Sequence, residues 1–171
     1  LQPDESTYDF SKLDKIMKLV RDNGLKVCMA TSTAAHPAWM ARKYPDVLRV
    51  EHNGMKRKFG ARHNSCPNSP NYRKYSAALV EKIAERYKDY DNIVAWHINN
   101  EFGGWCYCEN CEKAFRVWLQ KKYGTLDELN RVWNTSFWSH TMYDWDDVAA
   151  CNMLSEEFLW EGQIPTNFEV I

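Results

Sequence analysis

Ile93-Val94-Ala95-Trp96-His97-Ile98 runs directly into Asn99-Asn100-Glu101, and the pair Gly103-Gly104 follows shortly after. A short apolar run rich in β-branched residues, bounded by turn residues, predicts a buried strand over about 93–98. An amide and a carboxylate stand where that strand ends. Parallel α/β sheets collect their chemistry at the carboxyl ends of strands. Glu101 is therefore the first candidate for a catalytic group.

Moving outward toward the amino terminus, residues 1–10 read as a loop and Ser11 as the cap of a helix from Lys12 to Asn23. Leu13, Ile16, Met17 and Val20 recur at helical spacing, and Gly24 stops the helix. Leu25 to Thr31 reads as a second buried strand, with Cys28 a small core residue inside it. Pro37-Ala38-Trp39-Met40 predicts a short helix opening on proline. Residues 45–70 are irregular, and a loop of that length points to a function or to something that pins it. Ser69-Pro70 starts a helix whose inner face is Tyr72, Tyr75, Leu79, Ile83 and Tyr87.

In the other direction, Cys111, Ala114, Phe115, Trp118 and Leu119 share a helical face that ends at Tyr123-Gly124. Thr125 and Glu128 have capping-box spacing for a further helix with Leu126, Leu129 and Trp133 inward. Beyond Asn134 the chain is aromatic, acidic and irregular, and Asp144, Asp146 and Asp147 are candidate caps. Helix, strand, helix, strand, helix predicts an α/β fold with parallel strands and right-handed crossovers. Two parallel strands do not make a complete covered sheet, so the expectation is a piece of a larger α/β protein. A first residue of Leu1 rather than Met fits that expectation.

The 171 residues carry a net charge of −1, which gives no global field for nucleic acid or anionic lipid. No apolar run has the length of a membrane span and no signal pattern opens the chain, so neither membrane nor nucleic acid is an expected partner. Lys56-Arg57-Lys58 and Lys121-Lys122 read as solvated faces. Eight Trp, nine Tyr and seven Phe are many for this length. Most must be core, but indole and phenol rings also stack on the C–H faces of sugars, which hints at carbohydrate.

Six cysteines occur, at 28, 66, 106, 108, 111 and 151. Cys106, Cys108 and Cys111 are too close in sequence to bridge one another comfortably, yet thiolates at this spacing converge readily on one ion. Tetrahedral zinc takes four ligands, and Cys66 in the irregular loop is the natural fourth, with His63 as a substitute. Such a site would pin the loop to the helix after the second strand. It would be structural, because four thiolates leave no open position for water. The alternative is free thiols in a reduced cytosol. Cys151 has no partner pattern.

Asn100 turns Glu101 from a turn carboxylate into a candidate general acid of a glycosidase. In the retaining reaction a carboxylic acid protonates the leaving oxygen while a second carboxylate about 5 Å away attacks carbon. A neighbouring amide holds a sugar hydroxyl. The acid calls for an apolar setting or a second carboxylate nearby. His36, Trp39 and His97 are placed to line the same mouth, with packing roles as the alternative for each.

At this point the chain resembles glycoside hydrolase family 42, the microbial β-galactosidases. The residues that carry the resemblance run from Leu1-Gln2-Pro3 and Tyr8-Asp9-Phe10 through Ala34-Ala35-His36-Pro37-Ala38-Trp39. Phe59-Gly60 with Arg62-His63 and Cys66, then Asn100-Glu101-Phe102-Gly103 and Cys106-Tyr107-Cys108 with Cys111, continue it. Phe137-Trp138-Ser139 and Tyr143 with Trp145 complete it. The resemblance implies a partial (β/α)8 TIM barrel, about strands three and four with flanking helices, with residues 1–171 a fragment of the catalytic domain. It implies Glu101 as general acid/base, Asn100 as a contact to the galactosyl unit, and structural zinc on Cys66, Cys106, Cys108 and Cys111. The substrate would be a β-galactoside, the setting the bacterial cytoplasm, and the full-length assembly a homotrimer. The nucleophile, a second Glu near the end of strand seven, is expected outside this chain, since Glu156, Glu157, Glu161 and Glu169 lack the strand-end context. The chain alone is then expected to be inactive and prone to associate through apolar edges. Two other classes remain beside this one: a zinc-stabilised carbohydrate-binding or interaction module without catalysis, and a thiol redox protein, for which the spacing fits less well.

Overall fold

The computed structural model describes residues 1–101 and 103–150, apart from the side chain of Trp138. Phe102, Cys151 and the four glutamates beyond it lie outside the described residues. The chain forms two compact units, the first comprising Leu1–Leu48 and Lys58–Gly104, the second residues 49–57 together with the stretch from Trp105 onward. Among the described residues no helix is long and apolar enough to cross a membrane.

The first unit is the α/β part. Helix α1 spans Ser11–Asp22, strand β1 Val27–Ala30, helix α2 Ala38–Lys43, helix α3 Pro70–Tyr87 and strand β2 Ile93–His97. β1 and β2 pair in parallel, with Cys28 opposite Ala95, Met29 opposite Trp96 and Ala30 opposite His97, after an irregularity between Val27 and Cys28. The expected parallel strands and the helix between them are thus present. Helix α3 begins as its sequence predicts: the Ser69 hydroxyl accepts the Tyr72 N–H at 3.1 Å, and Pro70 occupies the first turn, where a missing N–H costs nothing.

Helix α1 starts differently from its reading. Ser11 is the first helical residue rather than the cap, and its N–H donates to Asp9 Oδ1 at 2.9 Å. The carboxylate two residues upstream reaches the orphan amide before a serine hydroxyl is needed. At the other end Gly24, with φ of +67°, allows its own N–H to reach the Arg21 carbonyl and the Leu25 N–H to reach that of Val20.

Phe10, Met17, Met29, Leu79, Ile83 and Tyr87 form one core, with Val27 and Ile93 packed against it. Trp39, Met40, Val47, Leu48 and Tyr75 form a second. Cys28, read as a core residue, is exposed. Successive strand side chains alternate faces, so Met29 enters the core while Cys28 points to the opposite face. Val94, Trp96 and Ile98 are likewise 63%, 40% and 69% exposed. In a pair, each strand has only one neighbour, and apolar side chains away from the covering helices stay open to solvent.

Charged and phenolic groups tie the helices to their surroundings. Asp14 accepts two hydrogen bonds from Arg86, each 2.7 Å, and one from the Tyr87 hydroxyl at 2.8 Å. These hold the Asp14 carboxyl below its usual range, while burial first and the Asp14 contact second push the Tyr87 phenol up to about 12. Glu5 accepts from Lys43, from Tyr75 and, at 2.6 Å, from Tyr44. Lys43 foremost, then the two phenols, bring the Glu5 carboxyl down from 4.5 to about 2.

The second unit is helical. Helix α4 spans Glu109–Tyr123 and helix α5 Leu126–Trp133. Phe115, Leu119, Leu129, Trp133, Met142 and Val148 make its core. Trp118, read on the inner face, is 42% exposed and lies under the Lys122 ammonium, 4.9 Å from the ring centroid. The Thr125 hydroxyl caps α5 by accepting the Glu128 N–H at 3.2 Å, while the Glu128 carboxylate pairs with Arg131. Asp144 and Asp147, two of the three candidate caps, form a reciprocal cap on a short 3-10 turn, Trp145–Asp147. Asn130 is the polar pivot: its amide donates to the Met142 carbonyl at 2.7 Å and accepts from the Thr135 hydroxyl and the Met142 N–H.

A carboxyl held low in the folded state stabilises it above the unfolded value and loses that contribution as pH falls through the folded value. Glu5 should therefore make wild type lose stability between pH 4.5 and about 2. In Glu5→Gln that loss should be absent, so the urea midpoints of the two proteins should converge as pH approaches 2. A gap of constant size from pH 6 to pH 2 would contradict the assignment. Leu129 is fully buried, so Leu129→Ala should cost about 2–5 kcal/mol in urea unfolding.

Candidate functional site

The carboxyl ends of β1 and β2 meet in the first unit, and polar residues gather there. The Thr31 N–H donates to the His97 carbonyl at 3.1 Å, and the Asn99 N–H donates to the Thr31 hydroxyl at 2.8 Å. Beyond these bonds both chains turn sharply. Ser32, Asn99 and Glu101 have φ of +57°, +63° and +42°, and His63 in the loop has +62°. Left-handed backbone at a residue with a side chain is held only where its surroundings enforce it, and it concentrates at functional sites.

Glu101 follows β2 as read, with half-buried Asn100 before it. Its setting differs from the expected apolar one. The carboxylate is exposed and forms an ion pair with Arg62 at 2.8 Å. Arg62 comes from the irregular loop, 39 positions away in sequence (101 − 62). No spacing rule joins the two; the only sequence signal was a cation in a Gly-, Arg- and His-containing loop.

The other candidates divide. His36 is buried, its Nδ1 lies 2.6 Å from the Ser65 hydroxyl, and burial holds the imidazole below 6.5. Trp39 is buried as well: its indole N–H donates to the Gln2 carbonyl at 3.0 Å and its ring meets Tyr75 edge-on. Trp39 is therefore a core residue rather than a stacking platform for a sugar. His97 is exposed at the strand end rather than packed. His36 Nε2, His63 Nε2 and Asn99 Oδ1 are buried without a hydrogen-bond partner among the described residues.

The irregular loop is shaped by local pairing. Leu48 bridges Ser65, the Cys66 N–H donates to the Val47 carbonyl at 2.8 Å, and the Asn64 amide donates to the Lys58 carbonyl at 2.8 Å. Cys66 is fully buried. Cys108 is the N-cap of α4, where its carbonyl accepts the Cys111 N–H at 2.9 Å, and Cys106, Cys108 and Cys111 are half-buried. The sulfur atoms of Cys106, Cys108 and Cys111, where the second unit's chain enters α4, lie within 4.8 Å of one another. His63, the substitute ligand, is not part of this set. A tetrahedron with Zn–S bonds of about 2.3 Å has edges of about 3.8 Å, so these three thiols suit three corners of a tetrahedral metal, with the fourth corner left to a further donor.

The chain matches a known family over most of its length. The family model described as beta-galactosidase, glycoside hydrolase family 42, matches residues 1–164. β-Galactosidase BgaP of Planococcus sp. (strain L4) is 63% identical over 156 residues, which are 91% of this chain and 23% of that protein. β-Galactosidase LacZ of Lactobacillus acidophilus is 52% identical over 162 residues, 95% of this chain and 24% of that one. The crystal structure of the β-galactosidase from Bacillus circulans sp. alkalophilus superimposes with a TM-score of 0.87 at 64% identity, covering 94% of this chain and 24% of that one. A family 42 β-galactosidase named Gan42B gives 0.85 at 43% identity, covering 91% and 23%. The chain thus spans about a quarter of the length of these relatives. On the family match and these identities, the chain belongs to glycoside hydrolase family 42, the β-galactosidase family.

Proposed function

We propose that this chain is the acid/base-bearing part of a retaining β-galactosidase, contributing two strands and their helices to a (β/α)8 catalytic barrel. The observation that carries the reading is the position of Asn100-Glu101 at the carboxyl end of a strand paired in parallel, in a family of β-galactosidases. In the first step Glu101 gives its proton to the glycosidic oxygen as the bond to the anomeric carbon breaks and a second carboxylate attacks that carbon. In the second step the Glu101 carboxylate takes a proton from water, whose oxygen replaces the enzyme carboxylate on the sugar. Asn100 holds a hydroxyl of the galactosyl unit, and Arg62, whose ion pair needs the carboxylate form, holds the Glu101 side chain between the two steps, after its proton has been given to the leaving group. A β-galactoside substrate, a cytoplasmic bacterial setting and a homotrimer of the full-length protein belong to the same reading.

In the full-length protein, Glu101→Gln should lower kcat/KM by more than about 100-fold on galactosides with poor leaving groups, the upper span of general-acid effects being about 10⁴. Galactosides whose leaving group needs no proton should be cleaved at nearly the wild-type kcat/KM. Undiminished rates on the poor leaving groups would reject the role of Glu101.

Cys66, Cys106, Cys108 and Cys111 would hold zinc as a structural ion. Thiolate is the donor that structural zinc prefers, and four such ligands fill its coordination, so the ion would stabilise the fold around it rather than activate water. Elemental analysis should find about one zinc per chain. Cys111→Ser should lose most of it and lower the melting temperature by more than about 5 °C. Retention of stoichiometric zinc in that variant would overturn the ligand set.

A further inference from the structure

Thr31 lies just beyond β1 and is 3% exposed. Its backbone continues the ladder by one more bond, to the His97 carbonyl. Ser32 then turns the chain out of the strand with φ of +57°. Two residues beyond the end of β2, the amide of Asn99 is met by a side chain instead: it donates to Thr31 Oγ1 at 2.8 Å. The same hydroxyl shares a hydrogen bond of 3.0 Å with Thr33 Oγ1. A hydroxyl can accept from one partner while donating to another, so both bonds are compatible. The residue caught this way, Asn99, is itself left-handed, and Glu101, two residues on, is left-handed too.

We propose that Thr31 is the positioning residue for the acid/base: its buried hydroxyl captures the Asn99 amide and thereby sets the turn that presents Asn100 and Glu101. This rests on the reading of Glu101 as the acid/base. Glu101 has an exposed side chain on a turn of unfavourable backbone conformation, and its ion pair with Arg62 fixes only the tip. The backbone must be held from behind, and among the described residues the Thr31 hydroxyl is the group bonded to that turn's first amide. Thr31 would not touch the sugar. It acts through Asn99, and a misplacement of about 1 Å at a reacting group can cost about 100-fold in rate.

The test uses the full-length protein and compares Thr31→Val, Thr31→Ala and Thr31→Ser. Val keeps the shape without the hydroxyl, and Ala and Ser differ from each other by that hydroxyl alone, so the comparison survives if Val fails to fold. Val and Ala should lower kcat/KM on an alkyl β-galactoside about tenfold, the rate equivalent of one lost hydrogen bond, and change it less than about twofold on a dinitrophenyl β-galactoside. Azide, which needs no general base, should raise kcat of these variants on the dinitrophenyl substrate. Ser should behave as wild type. Equal losses on both substrates, no loss on either, or a Ser variant no better than Ala would overturn the proposal. Glu101→Ala runs in parallel. If it discriminates between the leaving groups and the Thr31 variants do not, only the positioning role fails. If Glu101→Ala does not discriminate either, the acid/base reading has failed and the Thr31 proposal with it.

Discussion

The parallel pairing of β1 with β2 is the constraint on which the polar end of the first unit depends. Two strands running the same way end together, so the residues after Ala30 and after His97 emerge at one edge. Backbone bonds carry the pairing as far as Thr31 and His97, and there the ladder passes to a side chain. An antiparallel pair would have placed the same two termini at opposite ends. The side-chain amide of Asn92 secures the other end by donating to the Leu25 carbonyl, while the Asn92 backbone carbonyl accepts the Val27 N–H. Register at both ends is therefore set by hydrogen bonds as well as by the apolar pattern.

Polar hubs rather than apolar area alone hold each unit. Asp14 joins α1 to α3 through a bidentate guanidinium and a phenol, a geometry stronger than a single exposed ion pair. Glu5 collects Lys43, Tyr44 and Tyr75, and so fastens a segment without helix or strand to α2 and α3. In the second unit Arg116 reaches the carbonyls of Asp146 and Val148 and the Asp146 carboxylate, and Asn130 binds Met142 at both its carbonyl and its N–H. These partners lie in irregular stretches, where backbone groups lack a ladder and side chains must satisfy them.

The thiols show how a loop of irregular sequence acquires a defined shape. Cys66 is fully buried and directly follows the short antiparallel bridge of Leu48 with Ser65, and the Cys106–Cys111 stretch enters α4 with Cys108 as its cap. A bound tetrahedral metal would add stabilisation to an arrangement whose backbone is already hydrogen-bonded.

How much was legible in the sequence follows from the range of the interactions involved. Helix α3, with Ser69 as its cap and Tyr75, Leu79, Ile83 and Tyr87 as its buried face, was readable because capping and periodicity act within a turn or two. The placement of Asn100-Glu101 at a strand end, the cap at Asp144 and the spacing of Cys106, Cys108 and Cys111 are local in the same sense, and the parallel order of the strands followed from the alternation of helices with strands. Tertiary structure alone decided the rest. Arg62 meets Glu101, His36 meets Ser65 and Thr31 meets Asn99 across long intervals of sequence, and no local pattern encodes a contact whose partner is set by how strands pair. Cys28 and Trp96 show the same limit from the other side. Their apolar character predicted burial, but which face of a strand is covered depends on what packs there, and that is a property of the assembled chain rather than of the residue.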